Sequence, residues 1–157
     1  MVRTFRYLSI LITIFGFIAL AISGAFISQA ISKNNFLIGA MKEEKITVGL
    51  TPEQVQRGEI VDTAPKAQKA ADTIRGHRQN IAPTYNELLG GKQFDPTNPK
   101  QITYMQALNL ENYLYTTVLT SGVITIAGGA GAFMILTGIV DIIAGLILFS
   151  MARKPVG

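Results

Sequence analysis

The chain has 157 residues, 48% of them hydrophobic and only 15% charged, with a formal net charge of +4 and no cysteine. The missing cysteines exclude a disulfide-stapled module, thiolate metal sites and redox pairs. The positive balance comes without a clustered basic stripe carrying interleaved aromatics, so nucleic acid is not an expected partner.

Arg3 and Arg6 open the chain, within a short N-terminal tail of residues 1–7, and Leu8 to Ile31 then contains no ionisable side chain. At about 1.5 Å per residue such a run exceeds the ~30 Å of hydrocarbon that a spanning helix must cross, so 8–31 is expected to be a first transmembrane helix. A secretory signal is the lesser reading. Ser23-Gly24-Ala25 offers small residues for cleavage, but the apolar stretch runs on through Phe26 and Ile27 and outlasts an ordinary signal core.

Residues 32–112 carry most of the charge, in near balance, and read as an extracytoplasmic domain of short helices and loops. Lys45-Ile46-Thr47-Val48 is the one expected strand. Thr51-Pro52-Glu53-Gln54 has the pattern of a capping box with proline at the first helical position, and Gly58 should stop that helix. The spacing predicts a longer helix over 63–80, with Ala64, Ala67, Ala71, Ile74 and His77 inward and Lys66, Lys69, Arg75 and Arg78 outward. Ile81-Ala82-Pro83-Thr84 breaks it, Tyr85 to Leu89 forms a further turn, and Gly90-Gly91 ends that. A domain of this size buries a limited core and should lean on the membrane helices, another subunit or a second copy.

Asn98 and Pro99 supply a cap and first residue for a last helix, on which Ile102, Met105, Leu108 and Tyr113 form the expected apolar stripe. Residues 113–151 should continue it into and across the membrane, before a tail over 152–157. Two short spans hinged at Gly128-Gly129-Ala130-Gly131 are disfavoured, because they would move Arg153 and Lys154 to the outer side and expose a glycine turn to lipid. Basic residues beside both outer ends of the spans place both termini in the cytoplasm of a cell membrane and residues 32–112 outside it.

Candidate chemistry is sparse. A single histidine, His77, cannot build a zinc site without an unusual set of carboxylates or waters. Glu43 and Glu44 are adjacent, so their side chains diverge, and Gly90-Gly91-Lys92 lacks the spacing of a phosphate loop. No catalytic, cofactor-binding or metal site is expected.

Packing residues are better marked. Gly131, Gly138 and Gly145 recur every seven positions with Asp141 among them, and Gly16, Ser23 and Ala30 repeat the interval in the first span. Small residues let helix backbones approach in lipid, so these faces should meet each other or a larger partner. Asp141 is costly in a span, by roughly 2.5–3.5 kcal/mol on insertion scales unless protonated or paired, and reads first as glue between helices or subunits and second as part of an ion path.

The order of Lys45-Ile46-Thr47-Val48, the alanine-rich helix, Thr84-Tyr85-Asn86-Glu87-Leu88, Ala107-Leu108-Asn109 and Leu119-Thr120-Ser121 resembles a group of small actinobacterial-type membrane proteins that often carry a label of aromatic ring-opening dioxygenase. The resemblance covers most of the chain and implies two spans with an external domain and no established activity. One histidine cannot supply the two-histidine, one-carboxylate triad that such iron enzymes use.

The expectation is therefore an all-α membrane protein, a hairpin of two transmembrane helices with a small, mainly helical extracytoplasmic domain. It would act as a non-catalytic accessory subunit of a larger membrane complex. The alternatives are a homo-oligomeric channel or proton path through Asp141, and an external binding module using Tyr85, Tyr104, Tyr113 and Tyr115. Tyr113 and Tyr115 read first as interfacial anchors. Lipid bilayer and other membrane subunits or copies of itself are the expected partners, and no cofactor is expected.

Overall fold

The computed structural model describes residues 2–153, which form five α-helices: α1 (Val2–Glu44), α2 (Pro52–Gln56), α3 (Ala64–Ile81), α4 (Tyr85–Leu89) and α5 (Pro99–Met151). No strand occurs among the described residues. Contacts divide the chain into two compact units, one made of residues up to Lys33 together with those from Val123 onward, the other of Asn34–Gly122. The second division falls after Gly122, within the long last helix, because Leu114, Thr117 and Val118 pack within the Asn34–Gly122 unit. Lys154, one of the basic residues used to orient the chain, lies outside the described residues.

In the first unit, the early part of α1 and the late part of α5 run antiparallel, shown by the pairing of Ser23 with Gly131 and of Gly16 with Gly138. Each full helix is long and apolar enough to cross a membrane, and only 11% of the most apolar window of each is buried within the chain. Phe15, Phe17, Val123, Ile126, Phe133 and Leu136 are among the large side chains left exposed.

The second unit is built on α3. Ala67, Ala70, Ala71 and Ile74 form its inward face and pack with Met41, Val61 and Leu114. Three alanines on one face bring neighbouring backbone very close. A Cβ on Gly49 would stand 2.9 Å from the Cα of Ala70, and Gly49 itself has φ +81°, so no other residue fits there without strain.

Helix ends follow their sequence signals. Thr51 caps α2 through the Gln54 amide while the Gln54 side chain accepts from the Thr51 N–H, a reciprocal capping box. Thr84 caps α4, which ends at Gly90 in the left-handed region. Asn98 accepts from the N–H groups of Lys100 and Gln101 at the start of α5.

Two expectations about local structure are corrected. Lys45 to Val48 is not a strand: Lys45 adopts φ 48°, Leu50 N–H closes a turn on the Thr47 carbonyl, and a single bond from Val61 N–H to the Ile46 carbonyl replaces a ladder. The segment has no neighbouring strand among the described residues to pair with. The inward stripe of α5 is also displaced. Gln101, Tyr104, Glu111 and Leu114 are the buried positions, whereas Ile102, Met105 and Leu108 are half-buried and Tyr113 is exposed. The face is fixed by a polar network that apolar periodicity does not register.

Candidate functional site

Two constellations could carry function, one in each unit. In the first, the seam between α1 and α5 is built by removing side chains. An added Cβ on Gly16 would lie 2.7 Å from the Gly138 carbonyl oxygen, and one on Gly138 would lie 2.7 Å from the Gly16 carbonyl oxygen, so the two backbones are in direct contact. Gly131 sits against Ile27, Phe26 and the Ser23 carbonyl, and Gly145 against Thr13 and the Ser9 carbonyl. The Ser23 hydroxyl donates a 2.7 Å hydrogen bond to the Gly131 carbonyl, and the methyl of Ala30 is 3.6 Å from where a Gly128 Cβ would be. In an apolar surrounding this replaces a hydrophobic driving force with close dispersion contacts and one interhelical hydrogen bond.

The structure thus brings Gly16, Ser23, Ala30, Gly131, Gly138 and Gly145 together on one interface within the chain. Asp141, expected on the same face, makes none of these contacts: it is half-buried and makes no hydrogen bond or ion pair among the described residues.

In the second unit, α3 and α5 are joined by a buried ionic cluster. Arg78 donates through Nε to Glu111 Oε2 at 2.7 Å and through Nη1 to the Tyr104 hydroxyl at 2.5 Å, and Arg75 Nε donates to Glu111 Oε1 at 3.1 Å. Arg78, Glu111 and Tyr104 are 9%, 3% and 1% exposed, so the group is almost dry. Burial alone would push the Glu111 carboxyl up, but the hydrogen bonds from Arg78 and Arg75 outweigh it and hold the group below its ordinary value. Hydrogen bonding to Glu111 in turn raises the Arg78 guanidinium. Beside the cluster, Tyr115 donates to Asp72 at 2.6 Å while its ring lies under the Arg75 guanidinium, 4.9 Å away.

Arg78 therefore faces inward, against the expectation that it would be solvated, and His77 is the exposed neighbour instead. The inward stripe of α3 continues one turn past Ile74 to Arg78, where Glu111 and Tyr104 neutralise and bond the guanidinium. Tyr104 is likewise no surface contact residue. The missed signal was legible in principle, since Tyr104, Glu111 and Val118 recur at seven-residue intervals and Leu114 lies between them.

An open cleft of about 320 Å³ adjoins the cluster, with Ile74, His77 and Ile81 on one side and Thr103, Gln106 and Leu110 on the other. Nothing in it pairs a nucleophile with a base. Among the described residues, no group of three or more histidines and carboxylates is placed to hold a metal ion.

No known protein family, curated protein or solved structure matches this chain.

Proposed function

We propose that this chain is a two-span membrane hairpin that serves as a non-catalytic accessory or structural subunit of a larger membrane complex, with both termini cytoplasmic and the Asn34–Gly122 unit outside. The observation that carries the reading is the contrast between the two surfaces of the α1–α5 pair. Its small-residue face is consumed within the chain, while phenylalanines, leucines and isoleucines cover the outside of helices long enough to cross a bilayer. Docking then falls to the outer helix faces and to the external unit, whose His77–Gln106 cleft is a polar-rimmed concavity suited to a partner's loop. The two-span layout agrees with the resemblance noted in the sequence.

The test is the native mass of the protein extracted from its own membrane in mild detergent, with identification of every co-migrating chain. Stoichiometric recovery with larger subunits supports the reading, and recovery as a pure small oligomer defeats it. One observation favours a homo-oligomer as second reading: Asp141 is half-buried yet unbonded among the described residues, which leaves its carboxyl free for another copy. In that case Asp141→Asn should abolish proton flux in proteoliposomes while leaving the oligomer's mass unchanged.

A further inference from the structure

Near the start of α1 and the end of α5, Ile10, Ile14 and Phe17 oppose Leu146 and Phe149 across an open groove of about 270 Å³. Ser9 and Thr13 also line it, but the Ser9 hydroxyl donates to the Arg6 carbonyl and the Thr13 hydroxyl to the Ser9 carbonyl. With both hydroxyls bonded to their own helix, the walls suit an apolar occupant.

The mouth has the opposite character. Arg6 precedes Ile10 by one helical turn and Arg3 precedes Ile10 by two, which places both on the groove side of α1. On the other wall the Arg153 guanidinium is stacked over the Phe149 ring, 4.7 Å from its centroid, so a groove-lining side chain holds that charge in place. None of these three arginines forms an ion pair among the described residues. The only acid in residues 1–33 and 123–157 is Asp141, eight positions from Phe149 and so about 12 Å along the helix.

An apolar slot that opens between unpaired arginines complements one kind of molecule, an acyl chain carrying an anionic headgroup. We propose that this groove binds an anionic phospholipid of the bilayer, one acyl chain lying between Ile14 and Leu146 and the phosphate held by Arg3, Arg6 and Arg153. Such a lipid would fill the groove and neutralise the end of the helix pair. The inference rests on the membrane reading above, since a lipid reaches this groove laterally.

The experiment uses the full chain in mild detergent, with equal amounts of dioleoylphosphatidylglycerol and dioleoylphosphatidylcholine added and retained lipid counted by native mass spectrometry. One phosphatidylglycerol per chain should be retained in roughly tenfold preference, which corresponds to about 1.4 kcal/mol shared among the three arginines. Arg6→Ala with Arg153→Ala should remove most of that preference. Ile14→Trp, which fills the groove and leaves every arginine in place, should lower retention of both lipids. Equal retention by the unaltered chain, a preference undiminished in the double arginine variant, or total retention undiminished in Ile14→Trp overturns the proposal. Liposome flotation after alkaline carbonate treatment separates the two readings. A chain that leaves the vesicles defeats the membrane reading itself, whereas a chain that stays but shows no preference defeats only the lipid site.

Discussion

Glu111 holds two guanidiniums at once, and the two bonds differ in worth because Arg78 is buried and Arg75 is half-exposed. Removing the carboxylate strands a buried Arg78 charge, so Glu111→Gln should destabilise the Asn34–Gly122 unit by about 3 kcal/mol, the lower end of what breaking a buried pair costs. Arg75→Ala should cost less than about 1 kcal/mol. Tyrosine fluorescence during urea unfolding is a suitable readout, since the chain has no tryptophan and four of its five tyrosines lie between positions 85 and 115. The same bonds set a pH dependence. The folded carboxyl titrates below its unfolded value of about 4.3, so its contribution is fully present above that pH and is lost as pH falls through the lower folded value. The unfolding midpoint should therefore hold steady from pH 7 to about 5 and fall in stronger acid. Asp72, Glu59 and Asp95 are also held low, by hydrogen bonds from Tyr115, Arg57 and Thr97 respectively, and add to the fall, so the readout is the part that Glu111→Gln removes.

Between helices, the seam admits a geometric test because the chain contains no cysteine. The Ala30 Cβ and the Cβ position at Gly128 are 3.6 Å apart, within the range spanned by disulfides, so Ala30→Cys with Gly128→Cys should cross-link rapidly under mild oxidation. Gly24→Cys with Gly129→Cys should not, since both positions open into empty space. Gly138→Ile puts a branched side chain against the Gly16 carbonyl and Leu20, and should lower the yield of the first pair by driving the backbones apart. Helix ends, the alanine face of α3 and the seven-residue glycine interval are all legible in the sequence, because caps and close approach depend on one or two residue types at fixed spacing. The inward face of α5 is marked only by the seven-residue recurrence of Tyr104, Glu111 and Val118, which mixes polar and apolar types, and what fixes it is Glu111 meeting Arg78, 33 residues away.

For the whole chain, the proposed orientation makes its own prediction. A lone cysteine at the exposed positions Gln79 or Asn80 should react with a membrane-impermeant maleimide in intact cells, and one at the exposed Thr4 should react only after permeabilisation. Reversed labelling would invert the topology without touching the helix pairing. That two helices are of membrane-crossing length was legible as long runs without charge. What the proposed docking surfaces would meet was not, because such surfaces are chosen by a partner's shape, which this sequence does not contain. One property of the seam extends to how the helices could move. Gly131, Gly138 and Gly145 meet Ser23, Gly16 and the Ser9–Thr13 turn at matching steps of seven residues, so sliding α1 along α5 by about 10.5 Å would again set small residues against small. A slide of half that distance would drive Leu20 or Ile27 into backbone. The pair is thus a notched rail with widely separated stops, and its two directions differ: one slide sets Ser23 against Gly138 and Ala30 against Gly131, whereas the other sets Ser23 against Ile124.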